Sequence, residues 1–260
     1  MKRTTLSAAL ALVACAAMAQ QPAGGAREYP VTPRMSPEMT EFWTPQPPIV
    51  TPAPVANPTA APSDAIVLLG PGVIEFEHVR NGAPVGWDFA DGVLTVKPRS
   101  GGDIRSKRSF GDCQLHLEWR SPIEVSGESQ GRGNSGVFFH SLYEVQILDN
   151  HNNETYMNGA AGSIYKQSPP LVNPIRRPGE WNTYDIIWTA PVFRESDDKL
   201  LSPARVTVIF NGVVVQNNYQ IRGTTEYIGH PRVVSHGPAP ISIQDHGNLV
   251  SYRNIWIREL

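Results

Sequence analysis

The chain has 260 residues, of which 40% are hydrophobic and 18% charged, and its formal net charge is -2. This composition suits one large globular domain or two small ones, and it excludes a polytopic membrane protein and a wholly disordered chain. Because 22 basic residues stand against 24 acidic ones, no basic excess indicates a nucleic-acid partner. The 24 prolines and 22 glycines argue against a helical protein.

Residues 1–19 have the pattern of a signal peptide. A basic start, Met1-Lys2-Arg3, precedes the apolar run 6–14, and Ala17-Met18-Ala19 forms a small-x-small cleavage site. The apolar run is too short to span a bilayer, so no membrane span is expected. The pattern predicts export to the periplasm or the extracellular space. The alternative is a lipoprotein signal that would leave Cys15 lipidated.

Residues 20–65 are rich in proline, alanine and threonine, a composition typical of an extended linker. Phe42 and Trp43 are the points at which this linker could wrap on the domain that follows, residues 66–260. Once the signal is removed, Cys113 is the one remaining cysteine, which rules out an intramolecular disulfide. A buried core thiol is expected there.

The domain is predicted to be all-β. Short alternating or apolar segments separated by turns are the predicted strands: 92–96, 114–120, 135–140, 143–148, 184–188, 205–210, 213–215, 241–244 and 252–257. Asn211-Gly212 predicts a tight hairpin between two of them. Since no segment of a dozen residues has helical periodicity, the sequence predicts an antiparallel two-sheet jelly-roll sandwich.

Alternation places two polar side chains side by side in the segment 143–149. Val145 and Ile147 are expected to face the core, which leaves Glu144 and Gln146 on the opposite face, roughly 7 Å apart. A carboxylate beside a carboxamide offers the acceptors and donors that sugar hydroxyls need. The alternative is an ordinary solvated face.

A second polar cluster follows the segment 241–244. Gln244, Asp245, His246 and Asn248 lie where the strand enters a glycine turn. Asp245 and Asn248 suit a turn as well as a site, because Asp and Asn are common turn formers. His246 is therefore the most informative residue of this cluster.

Several ordered motifs from Ile74 to Leu260 resemble the 3-keto-disaccharide hydrolase family. They are GDIRSK (102–107), QLHLEWR (114–120), GRGNSGVF (131–138), YEVQILD (143–149), GEWNTYDI (179–186), NGVVVQNN (211–218), QDHGN (244–248) and RNIWIR (253–258). The resemblance implies a concanavalin-like jelly roll that acts on glycosides whose C3 hydroxyl is oxidised to a ketone. One motif departs from the family: Arg80-Asn81-Gly82 precedes Gly86-Trp87 where a Phe-Asp-Gly segment is common.

The implied chemistry needs a base for the C2 proton, an acid for the leaving group and a stabiliser of the enolate oxygen. Glu144 and His246 are the candidate base and its partner, with Asp245 as a further catalytic candidate. The candidate substrate contacts are Arg105, Glu118, Asn134, Gln146, Tyr165, Gln244 and Asn248. Arg105 could also stabilise oxyanion charge, although Arg105 and Glu118 equally suit structural ion pairs.

A divalent metal is a second way to stabilise the enolate oxygen. The chain has no His-x-His or His-Glu-x-x-His spacing, so convergence of His116, Glu144 and His246 from different strands would be required. The expected partners are a small 3-keto-glycoside and a separate sugar 3-oxidoreductase that supplies it, because no dinucleotide fingerprint is present.

Three alternatives remain open. A laminarinase-type glucanase would need Glu-x-Asp-x-(x)-Glu on one strand, whereas 144–149 reads EVQILD. A non-catalytic carbohydrate-binding module would need exposed aromatics, for which Trp87, Trp181 and Trp256 are candidates. A structural or adhesion domain is the third alternative, in which the polar clusters have no function.

Overall fold

A computed structural model of the chain describes residues 34–49 and 60–260. The predicted signal peptide and parts of the predicted linker lie outside these residues. The contacts divide the chain into Met1–Arg34 and Met35–Leu260, and the architecture below is that of the second unit. Among the described residues, no helix is long and apolar enough to cross a membrane.

The described residues form sixteen strands and three short 3-10 helices. The strands are β1 (Ile66–Gly70), β2 (Val73–Ile74), β3 (Phe76–His78), β4 (Asp88–Ala90), β5 (Val93–Thr95), β6 (Ile104–Phe110), β7 (Cys113–Arg120), β8 (Ser135–Phe139), β9 (Tyr143–Ile147), β10 (Asn182–Thr189), β11 (Val192–Phe193), β12 (Leu200–Ser202), β13 (Arg205–Phe210), β14 (Val213–Gln220), β15 (Ala239–Ile243) and β16 (Ser251–Glu259). The 3-10 helices are Pro37–Thr40, Ser129–Gly131 and Met157–Gly159.

Two antiparallel sheets make up the domain. The nine-stranded sheet runs β14-β13-β10-β7-β16-β1-β2, with β5 paired to β16 and β4 to β5. The five-stranded sheet runs β3-β6-β15-β8-β9, and β11 and β12 form a separate pair. The predicted all-β jelly-roll sandwich is confirmed.

The core lies between the two sheets and follows the predicted alternation. Leu115, Leu117 and Trp119 of β7 are buried, as are Val145 and Ile147 of β9. Because every second side chain of a strand points inward, each sheet contributes one apolar face. The predicted hairpin is confirmed, since Asn211 and Gly212 both have positive φ angles (52° and 79°) between the paired strands β13 and β14.

Two hydroxyl groups tie the sheets together. Tyr184 of β10 donates a hydrogen bond to the carbonyl oxygen of Gln146 on β9 at 2.7 Å. Tyr252 of β16 donates to Oγ of Ser135 on β8 at 2.6 Å. These buried bonds hold β8 and β9 against the nine-stranded sheet. Cys113 is buried with a free thiol, and burial raises its pKa to about 12.

Strand register defines the outward face of the five-stranded sheet. Glu77, Arg105, Ser242, Phe138 and Glu144 are successive partners across its five strands. The next row pairs Gly136 with Gln146, and the backbone N–H of Gln244 donates to the carbonyl oxygen of Gly136 at 3.0 Å. Glu144 and Gln146 of β9 therefore lie near Gln244, which directly follows β15, with only β8 between the two strands.

Leu117→Ala should lower the free energy of unfolding by about 2–5 kcal/mol, because it leaves a cavity in the core. Ile187→Ala on the neighbouring strand β10 is the matched control. The Ile187 side chain is 47% exposed, and its truncation should change stability by less than about 0.5 kcal/mol. Chemical denaturation of the two variants measures both values; equal effects would contradict the described inward face of β7.

Candidate active site

A pocket of about 730 Å³ opens on the outward face of the five-stranded sheet. The sheet contributes Phe138, Glu144 and Gln146, and the segment after β15 contributes Gln244 and His246. The size is within the range of small-molecule sites, which run from about 300 to 1,000 Å³. Both polar clusters identified in the sequence, in 143–149 and in 244–248, therefore contribute side chains to one cavity.

Loops complete the wall of the pocket. Ser129, Gln130, Gly131 and Asn134 precede β8, Tyr156 and Tyr165 follow β9, and Thr225 and Tyr227 follow β14. Two further lining residues, Glu41 and Trp43, come from the predicted linker, residues 20–65.

Glu144 is a nearly buried carboxyl group, with 5% of its surface exposed. No side chain or N–H group in the described part of the chain donates a hydrogen bond to its carboxylate. Burial, together with the negative charge of Asp103, raises the pKa of Glu144 to about 8. A carboxyl group that titrates near neutral pH can take or give a proton during a reaction.

The absence of a side chain at Gly136 makes room for this carboxyl group. Gly136 lies on β8 beside the pocket, and a Cβ atom there would collide with Oε1 of Glu144. A glycine is therefore needed at position 136, the third glycine of the motif GRGNSGVF, since any larger residue would displace the carboxyl group of Glu144.

Gln146 is held in one orientation by Gln130. Its Nε2 donates to Oε1 of Gln130 at 2.9 Å, while Nε2 of Gln130 donates to Oγ1 of Thr155 and to the carbonyl oxygen of Gly159, both at 2.9 Å. Oε1 of Gln146 is buried without a hydrogen-bond partner among the described residues. It is an acceptor ready for a hydroxyl group of a ligand.

The segment 244–248 divides into pocket residues and turn residues. His246 lines the pocket, and the side-chain amide of Gln244 points to the same cavity without a hydrogen bond to the described residues. Asp245 is half-buried and closes the turn, because its Oδ1 accepts from the backbone N–H of Gly247 at 2.9 Å. Oδ1 of Asn248 accepts from the backbone N–H of Asn134 at 2.8 Å and so fixes the loop before β8.

Two other predicted contacts do lie at the pocket. Asn134 lines it and donates from Nδ2 to the carbonyl oxygen of Gln130 at 2.7 Å. Tyr165 lines it as well and shares a 2.6 Å hydrogen bond with the hydroxyl of Tyr156. Burial raises the pKa of Tyr165 to about 12, which keeps this hydroxyl protonated at neutral pH.

The structure does not bring Arg105 to the pocket. Arg105 shares a face with Glu144, but β15 and β8 lie between their strands, and its guanidinium is paired with Glu77 at 2.8 Å. Arg105 is therefore engaged in a structural ion pair, and a role at the oxyanion does not fit its position.

Glu118 and His116 lie on the nine-stranded sheet, away from Glu144. Nδ1 of His116 is 2.6 Å from Asp185, its ring stacks on Trp256, and Arg253 donates to Glu118 at 2.6 Å. Burial alone would lower the pKa of His116, but the bonds to Asp185 and Glu118 raise it to about 9. The polar groups of this cluster are partners of one another, as in a structural ion-pair network.

The proposed metal ligands His116, Glu144 and His246 consequently do not converge. Within residues 34–49 and 60–260, no group of three His, Cys, Asp or Glu side chains is arranged to hold a metal ion. The donor set expected from the sequence does not fit a divalent metal at this pocket.

The tryptophans considered for a binding module are not open platforms. Trp87 and Trp256 are buried at 4% and 3% exposure. The ring of Trp181 is covered by the guanidinium groups of Arg120 and Arg253, at 4.7 and 4.2 Å from its centroid. Trp43 is the half-exposed tryptophan that lines the pocket.

Several pocket residues carry no signal in the sequence pattern. Tyr156, Thr225 and Tyr227 lie in irregular loops and Gln130 in a three-residue 3-10 helix, where no periodicity indicates which way a side chain points. Asp103, whose charge acts on Glu144, lies just before β6 and accepts a hydrogen bond from the backbone N–H of Asp245 at 2.8 Å. Its proximity to the site results from the pairing of β6 with β15, which the sequence alone does not indicate.

The sequence of the chain matches a known family. The family model of the 3-keto-alpha-glucoside-1,2-lyase-like domain matches residues 74–258. The chain belongs to the 3-keto-alpha-glucoside-1,2-lyase-like domain family. Glu144, Gln146 and His246 all lie inside the matched region of this glycosyl hydrolase-like domain.

Solved structures support the same assignment. A proposed glycosyl hydrolase of Parabacteroides distasonis is 53% identical, with 86% of this chain and 96% of that chain covered and a TM-score of 0.75. A second one from that organism is 22% identical, with 75% and 99% covered and a TM-score of 0.52, which shows the shared fold alone. None of the curated proteins matches the chain.

Glu144→Gln should make the stability of the protein less dependent on pH. The folded-state pKa of about 8 lies above the ordinary value of 4.5, so the native state holds a proton that the unfolded chain loses. The associated stability is complete below the unfolded-state pKa and is lost as the pH rises through about 8. The glutamine variant stays neutral and avoids that loss.

The measurement is the melting temperature of both proteins between about pH 5 and about pH 9. The variant should gain on the wild type as the pH rises. Glu195→Gln, a change at an exposed carboxylate, is the control and should follow the wild type. Parallel curves for wild type and Glu144→Gln would contradict the raised pKa.

Proposed function

We propose that this protein cleaves glycosides whose C3 hydroxyl group has been oxidised to a ketone. The observation that carries the proposal is Glu144, a nearly buried carboxyl group with a pKa of about 8 and no hydrogen-bond partner among the described residues, on the wall of a sugar-sized pocket. The family match to 3-keto-alpha-glucoside-1,2-lyase-like domains supports the same substrate class.

A C3 ketone changes which bond is easiest to break. The hydrogen on C2 becomes acidic because it is α to the carbonyl group, and the oxygen on C1 becomes a leaving group in the β position. Removal of the C2 proton gives an enolate, whose electrons form the C1–C2 double bond as the C1–O bond breaks. The aglycone oxygen takes a proton, and water can then add across the enone to give the free 3-keto sugar.

Glu144 is the group that takes the C2 proton. Its raised pKa makes it a stronger base than an ordinary carboxylate, while a large fraction remains ionised at slightly alkaline pH. Its strand neighbour on the same face is the amide Gln146, not a second carboxylate. That arrangement differs from a conventional glycosidase, which places two carboxyl groups on either side of the scissile bond.

His246 and the amides of the pocket supply the other functions. His246 lines the same pocket, where an N–H group of its imidazole ring can donate a hydrogen bond to the leaving oxygen. The free side-chain amide of Gln244 can donate to the enolate oxygen, a role for which Arg105 is wrongly placed. Oε1 of Gln146 remains as an acceptor for a sugar hydroxyl group.

The substrate requires a preceding oxidation. Since the chain has no dinucleotide fingerprint, a separate sugar 3-oxidoreductase would have to convert the C3 hydroxyl to the ketone. Unoxidised glycosides lack the acidic C2 hydrogen and should not be cleaved.

Glu144→Gln should reduce kcat on methyl 3-keto-α-glucoside by at least about 100-fold, because general base catalysis contributes about 10²–10⁴ to a rate. Wild-type activity should rise with pH through about 8 as Glu144 ionises. Release of methanol measures turnover, with methyl α-glucoside as the unoxidised substrate and Glu195→Gln as the control variant. Full activity of Glu144→Gln, or equal cleavage of the unoxidised sugar, would overturn the proposal.

The export predicted for residues 1–19 is tested separately. Mass spectrometry of the mature protein from its native host should find an N-terminus at Gln20. A diacylglyceryl group on Cys15 would instead establish the lipoprotein alternative. Recovery of the intact N-terminus, with Met1 or Lys2 first, would contradict both.

A further inference from the structure

A segment outside the matched family region forms one wall of the pocket. Residues 35–49, here called the strap, precede the family match that begins at residue 74. Glu41 and Trp43 of the strap line the same cavity as Glu144. The pocket is therefore made partly by residues that the family domain does not contain.

Specific hydrogen bonds hold the strap on both sides of Trp43. The backbone N–H of Phe42 donates to Oδ1 of Asn158 at 2.9 Å, and Nδ2 of Asn158 donates to the carbonyl oxygen of Thr40 at 2.9 Å. Nε2 of Gln46 donates to the carbonyl oxygen of Thr155 at 3.0 Å. Asn158 is completely buried, so this attachment is not a loose surface contact.

A buried lysine fixes the strap to the pocket wall. Nζ of Lys166 donates to the carbonyl oxygens of Pro37 at 3.0 Å and Tyr227 at 2.9 Å. It also lies 3.5 Å from Oε1 of Glu41, and only 3% of the lysine side chain is exposed. The ammonium group therefore links the strap to the opposite wall of the pocket.

Trp43 remains half open despite this attachment. Its ring meets Tyr156 edge-on at 6.0 Å, its Nε1 donates to Oε2 of Glu41 at 3.3 Å, and 46% of the residue is exposed. A tryptophan used only for packing would bury most of its surface. Here an aromatic surface and a carboxylate acceptor border the cavity together.

An aromatic ring beside a hydrogen-bond acceptor has the chemistry of a pyranose site. The C–H groups of a sugar ring pack on an aromatic surface, while its hydroxyl groups donate to acceptors at the edge. The cavity, about 730 Å³ in volume, is larger than one pyranose ring requires. The sheet wall with Glu144 and the strap wall with Trp43 are separate parts of its lining.

We propose that the strap forms a second pyranose subsite, in which Trp43 packs against the aglycone sugar and Glu41 accepts its hydroxyl groups. This inference rests on the proposed function, which assigns the oxidised ring to the sheet wall. The subsite makes the protein selective for disaccharides over glycosides with small aglycones.

The test compares Trp43→Ala with wild type on two substrates, 3-keto-trehalose and methyl 3-keto-α-glucoside. The variant should raise KM for the disaccharide about threefold to tenfold, as expected for the loss of one aromatic contact, with a smaller change in kcat. The parameters for the methyl glycoside should change by less than about twofold, because its aglycone does not reach the strap.

Phe42→Ala is the matched control. Phe42 is the neighbouring strap residue, 42% exposed, and does not line the pocket; its backbone bond to Asn158 is kept in the variant. Phe42→Ala should leave kcat and KM for both substrates unchanged. Melting curves should show that both variants fold. An equal loss on the two substrates in Trp43→Ala, or no change on the disaccharide, would overturn the subsite.

Binding of unoxidised sugars tests the subsite without turnover. Calorimetric titration with trehalose and methyl α-glucoside should give tighter binding of trehalose by the wild type, and Trp43→Ala should remove that preference. If the wild type cleaves neither keto sugar, the proposed function fails while this preference still reports the subsite. Equal affinity of the wild type for the two sugars would refute the subsite even if the keto sugars are cleaved.

Discussion

Burial without a hydrogen-bond partner disfavours the charged form of a carboxyl group. The surroundings of Glu144 impose this condition on its carboxyl group. Gly136 leaves the space that the carboxyl group occupies, and the negative charge of Asp103 adds to the effect of burial on its pKa. Tyr184 donates a hydrogen bond from the opposite sheet to the backbone carbonyl oxygen of Gln146, which anchors β9 beside the pocket. A ligand that offers an acidic C–H or O–H group can satisfy what the protein leaves unsatisfied.

Around His116 on the nine-stranded sheet, in contrast, the buried polar groups have hydrogen-bond or ion-pair partners. His116 is as deeply buried as any residue, yet Asp185, Glu118 and Asn254 all contact it, and Arg253 completes the charge balance. A network with every member paired stabilises a structure and has little left to offer a substrate. Glu144, Oε1 of Gln146 and the amide of Gln244 lack such partners among the described residues, which distinguishes a reactive surface from a structural one.

Sequence periodicity was enough to predict the sandwich, the Asn211-Gly212 hairpin and the face shared by Glu144 and Gln146. Those features are local, since alternation within one strand determines which side chains point inward. Periodicity does not predict contacts between segments that are distant in the sequence. The pairing of Arg105 with Glu77 and the position of His116 on the other sheet depend on which strands become neighbours. Gln130 lies in a three-residue 3-10 helix and Tyr227 in a loop, so no periodicity indicated their place at the pocket. Glu41 and Trp43 lie in a proline-rich stretch whose composition resembles a linker.

The fate of the hydrogen on C2 tests the role of Glu144 most directly. With methyl 3-keto-α-glucoside deuterated at C2, proton abstraction by Glu144 predicts slower turnover than with the undeuterated sugar and transfer of the deuterium to solvent water, both dependent on Glu144. Equal rates for the two isotopologues, with the deuterium fully retained at C2 of the released sugar, would show direct displacement at C1 and would contradict proton abstraction by Glu144.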